Sequence, residues 1–179
     1  MKKYELTTDT KIVLGKKLFR IKALVSFGNV KAGDLGGYVE RENNLSHEGD
    51  AWVSGNAKVF DNAKVFDNAE VSGKAWVSGD AKVFGDAKVY GNADYTIIQG
   101  FGSEYRNTTF FKCKDGNIGV KCGCFYGTLD EFRSKVKETH KDSKFAKEYL
   151  MIADLMEYHF NSERKETDEE QNRQSQEVH

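Results

Sequence analysis

The sequence contains no proline and only three cysteines among its 179 residues. A chain without proline must build its corners from other residues, and Gly, Asn and Asp are the ones that tolerate the positive backbone angles of tight turns. No secretory apolar segment follows Met1, and the number of cysteines is odd. We therefore expect reduced thiols and a cytoplasmic location rather than a disulfide framework.

Long apolar runs and an excess charge of one sign are also missing. No run is long enough to cross a bilayer, so we expect no association with a membrane. The 27 basic and 28 acidic residues give a formal net charge of −1. A balance so close to zero argues against a protein that coats nucleic acid along its whole surface.

What the sequence does contain is a repeat of six residues over 49–94. The seven complete hexads read GDAWVS, GNAKVF, DNAKVF, DNAEVS, GKAWVS, GDAKVF and GDAKVY, and the partial unit GNAD follows. The first column is Gly or Asp, the third is always Ala, and the fifth is always Val. A fixed hexapeptide period is typical of a solenoid built from parallel β-strands.

The alternation inside each hexad predicts a short strand followed by a corner. Ala and Val lie two positions apart and so share one face, while the fourth and sixth positions share the other. The opening Gly or Asp suits the corner because these residues tolerate positive φ. An interior filled by Ala and Val leaves no room for a ligand, so we expect binding to use an outer face or an end.

The unit Val65-Phe66-Asp67-Asn68-Ala69-Glu70 resembles the repeat of the hexapeptide-repeat family, which runs aliphatic, variable, two turn residues, small, variable. The resemblance implies a left-handed parallel β-helix with three hexads per coil. Many members of the family are acyl-coenzyme A-dependent acyltransferases, and many are trimers. Residues 15–94 are also similar to a transferase-like group that is frequent in bacteriophage and prophage genomes.

We therefore predict a mainly β fold, namely a left-handed parallel β-helix with an N-terminal β cap and a small C-terminal ββαα module. The boundaries are a β cap over 1–36, the β-helix over 37–94, the α/β module over 95–160 and a disordered tail over 161–179. Thr128 and Glu131 form a capping-box signature, which predicts a helix that runs to about His140. A second helix is expected to run to about Phe160.

His47 is the one histidine beside the repeats, so it is the candidate general base if the chain is an acyltransferase. Extending the hexad frame backwards places Val39 and Leu45 in the Ala column, and Arg41 and His47 in the Val column. An inward-pointing His47 favours a structural role. We predict no catalytic residue and no cofactor, and we keep His47 as the alternative.

The sequence gives little support for a metal site. The hexads contain no histidine, which argues against a zinc enzyme of this fold. Cys113, Cys122 and Cys124 could bind zinc only with His140 or His159, and their C-x8-C-x-C spacing is not typical of a zinc knuckle. We expect these thiols to pack as small apolar groups.

The outward columns indicate where a partner could bind. With three hexads per coil, Lys64 lies beside Lys82 and Phe66 beside Phe84, about 4.8 Å apart on one outer face. Aromatic rings next to lysines suit a protein interface or an anion with a stackable base. The alternative is that the C-terminal module or a second copy covers them.

These observations favour a non-catalytic binding protein, encoded by a phage or prophage, that acts on a host protein or an anionic nucleotide signal, as in the inhibition of host defence. A homo-oligomer, either a trimer or a dimer, is expected from the family resemblance. The alternatives are an acyl-coenzyme A-dependent acyltransferase that uses His47, and a scaffold that associates with itself through its coils.

Overall fold

The computed structural model describes residues 1–176, with the side chains described for residues 1–161. The chain is mainly β, with two helices at its C-terminal end. The N-terminal strands are β1 (Tyr4–Val13), β2 (Lys16–Ala23) and β3 (Leu35–Val39). The strands of the repeats are β4 (Trp52–Val53), β5 (Lys58–Val59), β6 (Lys64–Val65), β7 (Glu70–Val71), β8 (Trp76–Val77), β9 (Lys82–Val83) and β10 (Lys88–Val89). The C-terminal elements are β11 (Tyr95–Ile98), β12 (Thr108–Lys112), β13 (Ile118–Cys122), β14 (Phe125–Thr128), α1 (Leu129–His140) and α2 (Lys144–Gln176).

Successive strands of the repeats belong in turn to three different parallel stacks. Each strand pairs with the strand three places further along the chain, so Trp52 lies beside Glu70 and Glu70 lies beside Lys88. Backbone amides of one rung donate to carbonyls of the next, as from Lys64 N to Ala81 O at 2.9 Å. The register is eighteen residues in all three stacks, which is the three-hexad spacing expected from the sequence.

The Ala and Val columns fill the space between the stacks. Each Ala and Val of these two columns, from residue 51 to residue 89, is at most 1% exposed. The interior therefore consists of small and medium side chains at every level. A cavity for a ligand does not fit in such an interior, because the facing columns are already in contact.

The corners use positive φ as the sequence predicts. The first residue of each hexad has φ between 59° and 67°, at Gly49, Gly55, Asp61, Asp67, Gly73, Gly79 and Gly85. The two aspartates at these corners also bind the next rung. Asp61 Oδ2 accepts a hydrogen bond from Gly79 N at 3.1 Å, and Asp67 Oδ2 accepts one from Gly85 N at 3.4 Å.

The N-terminal strands extend one of the three stacks. Strands β1 and β2 form an antiparallel hairpin, and β2 pairs with β3 in the same sense. Strand β3 then pairs with β5 in parallel, so the order within this sheet is β1-β2-β3-β5-β8. The hairpin thus continues the sheet beyond the first coil.

The frame that we extended backwards from the hexads is wrong by two residues. Val39 pairs with Val59 and Leu45 with Val65, twenty residues apart rather than eighteen, so Val39 and Leu45 continue the Val column. Arg41 and His47 therefore do not occupy that column. The two additional residues lie between Leu45 and Val53, because the eighteen-residue register holds again from Val53.

The C-terminal sheet closes the other end of the repeats. Strands β11 to β14 form an antiparallel sheet in chain order, and α1 and α2 follow. Neighbouring residues of β12 serve two cores: Phe111 packs on Phe84 of the repeats at 5.7 Å between ring centroids, and Phe110 packs on Phe132 of α1 at 6.0 Å. The repeats and the C-terminal unit therefore share one strand.

The capping box predicted at the start of α1 is confirmed. Thr128 Oγ1 accepts a hydrogen bond from Glu131 N at 3.3 Å, and Glu131 Oε2 accepts one from Thr128 N at 2.8 Å. Helix α2 continues to Gln176, past the predicted end near Phe160. The predicted disorder of 161–179 falls almost wholly outside the residues whose side chains are described and stays a prediction. In the described part of the chain, no helix has the length and apolar character needed to span a bilayer.

Candidate functional site

The stacking predicted on one outer face is present. Lys64 and Lys82 are register partners of β6 and β9, and both side chains are exposed. The rings of Phe66 and Phe84 stack with 4.6 Å between centroids and 8° between planes. Within residues 1–161, no carboxylate lies within ion-pairing distance of either ammonium group. The two lysines therefore present positive charge that the described side chains do not neutralise.

For Phe84, the alternative that the C-terminal module covers the outward rings is confirmed. This ring is only 5% exposed, because Tyr126 and Phe111 of the C-terminal sheet cover it at 4.4 and 5.7 Å between centroids. Phe66 remains half-buried at the edge of the same contact. Three of the six large outward rings of the repeats are thus buried, since Trp52 and Phe60 are 7% and 2% exposed. Phe66 and Trp76 are half-buried, and Tyr90 is exposed.

The covering sheet creates a cleft beside the two lysines. Arg106 and Lys121 of the C-terminal unit line this cleft together with Lys64 and Lys82 of the repeats, and its volume is about 570 Å³. We call it the junction cleft. The rest of its wall is small or polar and consists of Asn62, Asp80, Asn107, Thr109 and Gly123. Four basic side chains from two structural units therefore meet around one cavity.

The carboxylate in the wall of the junction cleft is hydrogen-bonded to two amide side chains. Asp80 is the acidic side chain of the wall, and its two oxygens accept hydrogen bonds from Asn62 Nδ2 and Asn107 Nδ2, each at 3.0 Å. Arg106 reaches Glu104 at 3.4 Å, but both side chains are exposed, so this pair contributes little. The wall of the cleft thus carries four basic side chains against one carboxylate.

Asn107, which also lines the junction cleft, contains a buried polar atom without a partner. Its Oδ1 atom is buried and has no hydrogen-bond partner among residues 1–161, although its Nδ2 atom is bonded to Asp80. A buried acceptor without a donor costs about 1–3 kcal/mol, and such atoms are rare in native proteins.

The loop between β11 and β12 delivers Arg106 and Asn107 to the cleft. Gly100, Gly102 and Tyr105 all have positive φ, which turns the chain repeatedly over a short distance. At the end of the loop, Thr109 Oγ1 accepts a hydrogen bond from Lys82 N at 3.4 Å, which fixes β12 against the repeats. Arg106 and Asn107 could not be predicted as site residues from the sequence, because the loop has no repeat. Its glycines indicate turns, but they do not indicate which part of the fold the loop contacts.

His47, the candidate general base, is part of the packing at the N-terminal end. Its ring stacks on Tyr4 with 4.3 Å between centroids, and its Nδ1 atom accepts a hydrogen bond from Lys3 N at 3.2 Å. Its Nε2 atom is buried and lies 3.9 Å from Glu42, too far for a hydrogen bond. One ring nitrogen is therefore already hydrogen-bonded and the other is buried.

The cysteines do not form a metal centre in the part of the chain that the structure describes. Within those residues, no group of three or more His, Cys, Asp or Glu side chains is placed to bind a metal ion. Cys113 lies at the bridge between Ala87 and the C-terminal sheet, away from the turn that carries Cys122 and Cys124. Burial raises the pKa of the Cys113 thiol to about 11, which is consistent with a packing role.

A second groove of about 530 Å³ crosses the stack formed by Trp52, Glu70 and Lys88. It is a weaker candidate, because its charges compensate one another. Lys88 pairs with Glu70 at 2.9 Å, and the wall contains Asp34, Asp50 and Asp86 in addition to Lys114. The junction cleft has the opposite character, with lysines that no described carboxylate neutralises.

Comparison with known proteins adds no family. No protein-family model matches the sequence, and no curated protein matches it.

Proposed function

We propose that this chain is a non-catalytic binding protein and that the junction cleft holds an anionic, phosphate-bearing ligand. One observation carries the proposal: Lys64, Lys82, Arg106 and Lys121 converge on one concave site. Lysines bind phosphate as point charges, and the planar arginine fork binds two oxygens at once. Because the two lysines lie on adjacent rungs, a ligand with more than one phosphate can contact both.

A small ligand fits this site better than a host protein does. A protein interface would require a broad surface with an apolar centre, and the aromatic rings that could supply one are largely covered. The cleft is concave, and its wall is polar and basic. We therefore do not propose binding of a host protein; its capture through another surface is an alternative result of the test below.

For the fold, we propose a left-handed parallel β-helix of the hexapeptide-repeat type. The support is the rotation of strands through three parallel stacks, the eighteen-residue register and the filled interior of Ala and Val. The N-terminal hairpin and the C-terminal sheet then act as its two caps, since terminal coils otherwise leave backbone groups unpaired. The trimer or dimer expected from the family resemblance remains part of this proposal.

For the setting, we propose that the protein works in the cytoplasm of an infected bacterium and binds a nucleotide signal of host defence. The phage setting comes only from the sequence resemblance of residues 15–94 described above, and the positive cleft supports only the anionic character of the ligand. The acyltransferase alternative has less support, because His47 is stacked on Tyr4 and bonded to the Lys3 backbone.

The test is isothermal titration of the purified protein with tripolyphosphate, comparing wild type with the double variant Lys64→Gln/Lys82→Gln. We expect the double variant to bind at least ~100-fold more weakly, since a hydrogen bond to a charged group contributes about 1.5–3 kcal/mol. Its melting temperature should match that of wild type, because both side chains are exposed.

The matched control is Lys74→Gln/Lys147→Gln, which removes the same charge from two exposed lysines outside the cleft. It should bind tripolyphosphate like wild type at physiological salt, where distant charges are screened. Equal losses in the two double variants would mean that only net charge matters. No binding by wild type, with a host protein captured instead, would favour the interface alternative.

A further inference from the structure

A third cavity, of about 220 Å³, lies between the C-terminal sheet and the two helices, and we call it the aromatic cavity. Its wall contains Phe125, Phe132 and Tyr149, whose rings are in contact with 5.6 and 5.5 Å between successive centroids. The ring of His140 continues the series, 5.8 Å from Tyr149. Phe132 and Tyr149 are almost wholly buried, so the half-buried rings of Phe125 and His140 are the ones that can offer a face to a planar group.

The aromatic cavity and the junction cleft share a wall. Arg106 lines both, and Gly123 of the cleft is flanked in sequence by Cys122 and Cys124 of the aromatic cavity. The arginine side chain lies between a site suited to phosphate and a site suited to a ring. A guanidinium group can bind phosphate oxygens through its edge and stack on a planar ring through its face.

The aromatic cavity also has polar groups at its rim. The Tyr149 hydroxyl donates to Phe101 O at 3.3 Å and lies 3.7 Å from Cys122 Sγ. Burial raises the pKa of Tyr149, so the hydroxyl stays protonated at neutral pH. Ser103 and Thr139 also line the cavity and carry hydroxyl groups. A few polar groups around an apolar wall can orient a heterocycle with hydrogen-bonding edges.

We infer that the ligand is a nucleotide whose phosphates lie in the junction cleft and whose base stacks in the aromatic cavity, with Arg106 between the two parts. The inference rests on the proposed function, because it assigns the phosphates to the same four basic side chains. It adds a second site, the aromatic cavity, as the place where the base of the nucleotide binds, and it distinguishes the nucleotide from an inorganic polyphosphate.

The test compares adenosine triphosphate with tripolyphosphate by isothermal titration, without divalent cations. Both carry a chain of three phosphates, and tripolyphosphate carries no less charge, so tighter binding of the nucleotide reports on the base. We expect a preference of about 10- to 100-fold, the contribution of one base stacked on an aromatic side chain. Thr139→Trp should fill the mouth of the aromatic cavity from an exposed helical position.

In the Thr139→Trp variant, adenosine triphosphate should bind no more tightly than tripolyphosphate, whose own affinity should not change. Phe125→Ala should reduce the preference in the same way by removing one ring of the wall. Lys137→Trp, on an exposed position of the same helix outside both cavities, should change neither affinity.

Equal affinities for the two compounds in wild type, or a preference that survives both cavity variants, would overturn the inference and leave the phosphate site intact. If wild type bound neither compound, the proposed function would fail together with the inference.

Discussion

At the scale of single residues, the glycines at the corners of the repeats show how closely successive rungs pack. Gly73 and Gly79 are both first residues of a hexad, with φ of 62° and 64°. A β-carbon at Gly73 would lie 2.7 Å from Tyr90 O, whereas one at Gly79 would meet only Ile97 Cδ1 at 4.0 Å. The two positions therefore share the backbone strain and differ in the space available.

We expect Gly79→Ala to cost about 1–2 kcal/mol from positive φ alone, and Gly73→Ala to cost clearly more, because backbone must also move. Urea unfolding of the two variants beside wild type measures the difference. Equal costs would mean that the rungs at Gly73 are not packed as closely as the structure places them.

Lys3 gives the stability of the protein a pH dependence. Its side chain is buried, its ammonium group donates to Ala51 O at 2.8 Å and Gly49 O at 3.1 Å, and burial lowers its pKa to about 8 from 10.5. Between these two pH values the unfolded chain binds a proton that the folded chain has lost. Stability therefore rises with pH through this window.

The measurement is the free energy of unfolding of wild type and Lys3→Met at several pH values from 7 to 11. Relative to the variant, wild type should gain stability as pH rises from about 8 to 10.5, by up to about 3 kcal/mol. A difference between the two proteins that stays constant over that range would contradict the lowered pKa.

At the scale of elements, the contact between the repeats and the C-terminal sheet depends on Phe84. This ring is buried between Phe66, Phe111 and Tyr126, whereas Phe66 is half-buried. Phe84→Ala should therefore destabilise the protein by about 3–5 kcal/mol, the range for a buried phenylalanine, and Phe66→Ala by clearly less. Thermal and urea unfolding of the pair measures this, and equal small effects would mean that Phe84 is exposed in solution.

Some of these elements could be predicted from the sequence because their causes are local. The strand, the corner and the buried columns follow from six residues at a time, as the positive φ of Asp61 and Asp67 illustrates. The capping box at Thr128 is equally local. The stacking of Lys64 on Lys82 and of Phe66 on Phe84 was also predicted, but it required a coil of three hexads, which the family resemblance implied.

What could not be predicted depends on contacts between distant segments. The two additional residues after Leu45 shift the first coil, and nothing in the hexads signals them. The burial of Phe84 depends on Tyr126, forty-two positions further along a chain that has lost its period. Arg106 and Lys121 enter the site only because β12 and β13 pack against the end of the repeats. The position of Arg106 and Lys121 in the site therefore cannot be predicted from the local sequence pattern.

At the scale of the whole molecule, the filled interior determines where binding can occur. The repeats offer no internal cavity, and three of their outward aromatic rings, Trp52, Phe60 and Phe84, are buried against the segments at the two ends. The concave, positively charged site that remains lies where the repeats meet the C-terminal unit, and each contributes two basic side chains. The central claim is that this junction cleft binds the phosphates of the ligand.

The most direct test is a crystal structure of the wild-type protein grown with saturating adenosine triphosphate. The account predicts phosphate oxygens within about 2.7–3.2 Å of the Lys64 and Lys82 ammonium groups and of the Arg106 guanidinium group. Phosphates bound only elsewhere, for instance beside Lys88 and Lys114 or next to His47, would contradict it.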